Sequence, residues 1–266
     1  MPELPDVEGF RRVLSRAAGR RIDGVDVLDA GVLRGVDGGE LRDALVGAAF
    51  AGPRRHGKWL IGPLRAGPRH RLDEPSVVFH FGMTGSLTWI DADADRHRLD
   101  RVIISAGSRE LRYRDLRKLQ GIRLVPDDDG VGSLLAGLGP DAARIGAAEL
   151  GRRLARRQRT LKPALTDQAV VAGLGNLLAD EILWQARIHP RRGTLDLTDA
   201  DRRRLHRTMT TVLDRSTRVG RVPGRDDWLT GHRDDRDGVC PRCGTPLRRT
   251  RLGGRTTVWC PRCQSE

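Results

Sequence analysis

The chain has 266 residues, enough for two modest domains, and carries 48 Lys+Arg against 35 Asp+Glu, a net charge of +13 with nearly all of the cation arginine. No run of about 18 apolar residues occurs, so no membrane span is expected, and the acidic start Pro2-Glu3-Leu4-Pro5-Asp6 lacks a signal-peptide core. Arginine suits bidentate phosphate contacts, so the charge points to nucleic acid as partner; an arginine-biased composition without function is the alternative.

The chain opens Met1-Pro2-Glu3. Methionine removal before a small second residue would free a secondary amine with a carboxylate directly after it. Terminal amines titrate near roughly 8, so part of the population is neutral and nucleophilic at neutral pH. Such an amine attacks a sugar or aldehyde carbon to give an iminium. Many chains begin Met-Pro, so the terminus decides nothing alone.

Pro5-Asp6-Val7-Glu8 reads as a helix start, followed by Val7, Phe10, Val13 and Leu14 at helical spacing. From Ile22 to Val125 the pattern becomes β-like. Segments 77–81 and 86–90 flank Gly82-Met83-Thr84-Gly85, and segments 102–105 and 110–113 flank a Gly107-Ser108 turn. Several short strands suggest a sandwich or barrel. Pro126-Asp127-Asp128-Asp129-Gly130 reads as a flexible linker. Helical patterns follow at Ala147 to Arg157, Leu161 to Ala172, Leu177 to Ala186 and Asp199 to Arg215, the last capped by Thr198. An irregular segment from Thr217 to Gly238 leads to the cysteines.

Gln168 to Asn176 joins two helical patterns. Gly173 and Gly175 permit a sharp turn, and Asn176 is placed to cap the next helix, whose first amides would bind a phosphate. Taken alone, the segment reads equally well as an ordinary helix connection. Cys240-Pro241-Arg242-Cys243 and Cys260-Pro261-Arg262-Cys263 lie sixteen residues apart. Two such pairs match one tetrahedral four-cysteine zinc site, closed and therefore structural; disulfides are the alternative. Between them, Arg248 to Arg255 reads as a hairpin with a basic, glycine-bearing tip, suited to DNA phosphates or to a solvated turn.

Together these segments resemble the formamidopyrimidine-DNA glycosylase / endonuclease VIII family of bifunctional base-excision enzymes. The start Pro2 to Glu8 is similar to its amino-terminal motif on the formamidopyrimidine side. Leu161-Lys162-Pro163, Val170 to Glu181 and Ile188-His189-Pro190 are similar to its helix–two-turn–helix, and Gly254 to Gln264 to its zinc-finger end. The resemblance implies an α+β multidomain protein: an amino-terminal helix plus an eight-stranded β-sandwich over 1–126, a linker at 127–138, and a helix–two-turn–helix domain over 139–220. A connector at 221–238 and a zinc finger at 239–266 complete it. It implies a monomer acting on double-stranded DNA with damaged bases or abasic sites, in the cytoplasm at the nucleoid, with one structural Zn2+.

It also implies roles. Pro2 is the Schiff-base nucleophile and Glu3 the acid that protonates the opening sugar. Lys58 serves the lesion and a nearby phosphate. Asn176 and Arg255 grip the phosphates beside the flipped nucleotide, and Arg255 thereby also serves catalysis. Met83 fills the hole left by the extruded base, Arg117 pairs with the orphaned base, and Arg157 is a further DNA contact. Cys240, Cys243, Cys260 and Cys263 hold the metal. The chain departs from the family at Asp6 (usually glutamate), Leu116 (usually proline) and Leu119 (usually phenylalanine). Residues 217–239 lack a glycine-rich lesion-capping segment, so weak excision of 8-oxoguanine is expected. The alternative function is a damage- or abasic-site-binding protein with lyase activity but little base excision.

Overall fold

The computed structural model describes residues 1–65 and 75–265. The chain divides into two compact units, one of Met1–Pro2 with Asp6–Gly137, the other of Glu3–Pro5 with Leu138–Glu266.

In the first unit, helix α1 (Leu4–Ala17) contributes Val7 and Leu14 to the core; its first two residues belong to the second unit. Two antiparallel sheets supply most of the rest of that core, with Leu41 and Leu45 added from residues 38–45. One orders as β1 (Gly24–Val27), β7 (Asp100–Ala106), β8 (Arg109–Arg114) and β6 (Ser86–Asp91). The other is built on β4 (Trp59–Arg65), β5 (Ser76–His80) and β9 (Gly121–Val125). Alternation sends Leu87, Leu111, Tyr113, Val102 and Ile104 inward from the first sheet, and Leu60, Val77, Phe79 and Ile122 from the second. Two short strands, β2 (Ala49–Phe50) and β3 (Arg54–His56), both pair with β4, at Ala49↔Arg65 and Arg54↔Ile61. They are one edge strand interrupted at Ala51-Gly52-Pro53, where proline offers no ladder donor, so the expected eight strands are met with one of them broken. Helix α2 (Gly38–Leu45) is closed by a capping box between Asp37 and Glu40.

Residues 127–138 do not form the flexible linker that their acidic composition suggests. Asp127 accepts from the amide of Gly130 at 2.7 Å and starts helix α3 (Asp128–Leu135), whose first turn carries Asp128 and Asp129. The carboxylates that looked like a solvated stretch complement the positive end of a helix.

The second unit packs α4 (Ala147–Leu154), α5 (Leu161–Thr166), α6 (Asn176–Gln185) and α7 (Asp199–Val219) around Leu150, Leu165, Leu178, Ile182, Leu205 and Met209. Helix α4 stops at Leu154 instead of Arg157, because the backbone beyond it pairs elsewhere: Thr194 donates to Arg157 and Arg159 carbonyls at 2.9 Å. Helix α5 stops at Thr166 instead of Ala172, because Asp167 folds a turn onto the amide of Ala169 at 3.0 Å. Helix α7 runs past Arg215 to Gly220, which ends it at φ +75°, so the irregular connector starts later than expected. That connector holds one short turn of helix, α8 (Leu229–His232). The hairpin of β10 (Arg248–Leu252) and β11 (Arg255–Trp259) turns at Gly253 and Gly254, with φ of +55° and +76°.

Candidate active site and metal centre

Glu3 is the most deeply committed of the expected site residues. It is 0% exposed, and its carboxylate accepts from the amides of Gly175 at 2.8 Å, Leu177 at 2.8 Å and Leu178 at 3.2 Å. The acid therefore occupies the positive end of α6. Two glycines make room for it. A Cβ at position 175 would lie 2.3 Å from the Glu3 carboxyl carbon, and one at Gly173, where φ is +114°, would lie 2.6 Å from Leu4. The Leu4 amide donates to the Gly173 carbonyl at 3.0 Å. Gln168 staples the turn: its side-chain oxygen accepts from Gly173, and its amino group donates to the carbonyls of Thr166 and Leu174. Motif reading missed this role of Gln168, since only the folded turn brings its partners within reach.

Two expectations about this turn are corrected. Asn176 does not cap α6; it is the first helical residue, after Gly175. Nor do the amides of Gly175, Leu177 and Leu178 wait for a phosphate, because Glu3 accepts from all three. The Asn176 side-chain oxygen is buried with no partner among the described residues.

In the first unit, Gly57 and Lys58 form the two-residue turn between β3 and β4, with Gly57 at φ +55°. Arg55 holds this turn through the Gly57 carbonyl at 2.9 Å and reaches Glu8 of α1 at 3.4 Å. Burial would push the Glu8 carboxyl up, yet Arg11 and Arg55 together hold it below its usual value. His80 belongs to the same corner, a neighbour that motif reading missed. It pairs with Trp59 across the sheet, and the two rings meet edge-on at 4.6 Å. Burial, reinforced by the charges of Lys58 and Arg123, lowers its pKa to about 4. The signal was present in sequence only as the residue two before Gly82.

Met83 and Arg117 come together. Met83 is 40% exposed, and Arg117 Nη1 lies 2.8 Å from its sulfur. The buried Asp115 ties the two loops: it accepts from Thr84 Oγ1 at 2.5 Å and from the Arg117 amide at 3.1 Å. Leu116 and Leu119 flank Arg117 at 57% and 49% exposure, an apolar tip where the family usually has proline and phenylalanine. Arg157 is exposed after the end of α4, and Arg255 is exposed at the tip of the zinc-bearing hairpin.

The four cysteine sulfurs lie within 4.8 Å of one another, with Cys243–Cys260 and Cys243–Cys263 at 3.5 Å and Cys240–Cys263 at 3.9 Å. A tetrahedron of Zn–S bonds near 2.3 Å requires sulfur separations of about 3.8 Å, so the set fits one zinc ion and leaves no open position. The centre is supported from outside: Trp184 donates to Cys240 Sγ at 3.3 Å, and Gln264 accepts from the Cys260 amide while donating to the Ile188 carbonyl. Disulfides are not formed.

Among the described residues, no helix is long and apolar enough to cross a membrane. The chain matches the model of the formamidopyrimidine-DNA glycosylase N-terminal domain over residues 1–122, the formamidopyrimidine-DNA glycosylase H2TH domain over 136–225, and the zinc finger found in FPG and IleRS over 238–265. It is 39% identical to a formamidopyrimidine-DNA glycosylase of Symbiobacterium thermophilum, covering 99% of this chain and 89% of the relative. It is 36% identical to that of Desulfitobacterium hafniense, covering 99% and 100%. It is similar to the solved structure of Lactococcus lactis Fpg with DNA containing an abasic site, at TM-score 0.87 and 26% identity over 99% and 100% of the two chains. A complex of the Lactococcus lactis protein with DNA containing an oxidised pyrimidine matches at TM-score 0.88 and 27% identity over the full length of both. With all three of its segments matched in order and relatives aligned along its whole length, the chain belongs to the formamidopyrimidine-DNA glycosylase family.

Proposed function

We propose that this protein repairs DNA by flipping out damaged bases, excising them through the nitrogen of Pro2, and cleaving the abasic strand. The carrying observation is the placement of Glu3, one residue from that nitrogen, buried and fixed by three amides of α6. Removal of Met1 frees the Pro2 amine. Its lone pair attacks C1′ of the extruded nucleotide, and the base departs with the electrons of the glycosidic bond. The proton on the new C1′–N bond passes to the departing base, and the freed nitrogen lone pair then opens the sugar ring to an iminium, with Glu3 delivering a proton to the ring oxygen. For this transfer Glu3 must first take up a proton. The ammonium of Pro2 is the adjacent source, and its loss leaves the amine nucleophilic. The iminium acidifies the neighbouring carbon, and successive β- and δ-elimination release both phosphates.

Around this centre, Lys58, Asn176 and Arg255 hold phosphates and the lesion, while Met83 and Arg117 occupy the duplex from which the nucleotide leaves. An apolar residue filling the gap offsets part of the unstacking cost. Arg157 adds a phosphate contact. The DNA of the Lactococcus lactis complexes, with an abasic site or an oxidised pyrimidine, is the substrate class that fits this reading. The protein acts on the chromosome in the nucleoid. Borohydride added during reaction with abasic duplex should trap a covalent adduct at Pro2. Equal trapping by a variant that retains Met1 would refute the nucleophile. A second duplex carrying an intact oxidised base separates excision from lyase activity alone.

A further inference from the structure

The zinc-bearing hairpin carries a second basic feature, away from its tip. A cleft of about 450 Å³ opens beside its base, and Arg191, Arg248 and Arg249 line it. Its floor is His189 and Trp259, whose rings meet edge-on at 5.5 Å, with Thr250 and Gln264 alongside. The three guanidiniums have no carboxylate partner among the described residues. Arg191 reaches only Thr250 Oγ1 at 3.5 Å, and Arg249 only the Arg233 carbonyl at 2.6 Å. Some arginines elsewhere are matched to acids, as Arg112 is to Glu110 and Arg233 to Asp180. Three exposed like charges around one cleft repel one another, and a polyanion relieves that repulsion.

We infer that this cleft is a second phosphate-backbone site, which holds the substrate duplex outside the stretch gripped around the lesion. The inference rests on the proposed reading of the chain as a DNA glycosylase. The hairpin sets the spacing. From the Arg255–Leu252 pair at the tip to the Arg248–Trp259 pair at the base is four residue steps, about 14 Å at ~3.4 Å per residue. Duplex DNA rises by a similar amount per base pair, so on a duplex that follows the hairpin the cleft would meet phosphates about four base pairs from the tip. Arginine suits the site, because its fork binds phosphate oxygens in pairs.

The test uses the zinc-loaded full chain and an abasic-analogue duplex in two lengths, with arms of about two or about fourteen base pairs on each side, the shorter held paired by uncharged linkers across its ends. Affinities are measured across a salt series for the parental protein and for Arg191→Ala/Arg248→Ala. Each phosphate contact contributes about 0.9 to the salt slope, so the double variant should lose about 1.8 units of slope on the long duplex. Across a fourfold rise in salt, that makes its long-duplex affinity about tenfold less salt-sensitive than the parent's. On the short duplex both proteins should bind alike with equal zinc content, and on a short duplex carrying an oxidised base in place of the abasic analogue they should excise at equal rates. Arg191→Lys/Arg248→Lys should restore most of the slope. Equal losses on both lengths would place these residues at the lesion, and no loss on either would show that the cleft holds no DNA; each result overturns the inference. Absence of excision by the parent on any duplex would instead defeat the underlying reading.

Discussion

Replacing Glu3 with Gln tests stability and chemistry together. The carboxylate serves three amide donors at 2.8, 2.8 and 3.2 Å in a fully buried position. The glutamine oxygen still accepts from one side, but its NH2 group faces a donor on the other. Hydrogen bonds to charged groups contribute about 1.5–3 kcal/mol, and a stranded buried donor costs about 1–3 kcal/mol. Loss of the carboxylate charge at the α6 terminus adds to this. We expect Glu3→Gln to lower stability by about 3 kcal/mol, which for a chain of this size lowers the melting midpoint by about 6–12 °C. Glu3→Ala should lose more and recover part of it in formate, which re-enters the vacated amide cradle; the parent should gain nothing. Scanning calorimetry reads both. Below the variant's transition, single-turnover excision normalised to folded protein should still fall by orders of magnitude, because the missing proton is needed only in the transition state. A Glu3→Gln protein that melts with the parent would refute the cradle, and one that excises at the parental rate would remove the acid.

Burial pushes Glu181 up to about 7, against hydrogen bonds from Gln185 and Thr230. Its folded value exceeds its unfolded one, so its contribution is full below pH ~4.5 and is lost as pH rises through ~7. Glu181→Gln should remove that decline and gain up to about 3 kcal/mol at pH 8, as read by urea titration; an unchanged pH profile would refute it. Cys260→Ser should release zinc, seen as metal loss on gel filtration, and weaken DNA binding by disordering the hairpin, while undiminished affinity in metal-free protein would sink that role. Arg255→Ala should flatten the salt slope by about one unit, whereas neutral Asn176→Ala should weaken binding with the slope kept.

What was legible in the sequence was local. The cysteine pairs, the Gly253-Gly254 turn and the Thr198 cap each carry their geometry within a few residues, and all three form as spaced. The strand alternation was legible for the same reason. The acidic stretch at 127–130 misled, because aspartates serve helix starts and solvated loops alike. The rest was hidden by separation along the chain. Nothing near Gly175 announces that its helix is capped by a carboxylate 172 residues earlier. Nothing near Lys58 announces His80, which reaches that corner only through the pairing of β4 with β5.

The Glu3 cradle also orders events during translation. The carboxylate is made among the first residues, yet its three amide partners come 172 to 175 residues later. At roughly 5–20 residues per second, the ribosome takes about 10–35 s to reach them. The sheets of the first unit are complete in the nascent chain well before then, so α1 from Val7 onward has its core while Glu3 still has no home. On the proposed mechanism, a polypeptide interrupted before residue 178 carries the Pro2 amine without the full set of amides that fix Glu3. On that mechanism, competence to break a strand waits on synthesis of the turn around Gly175.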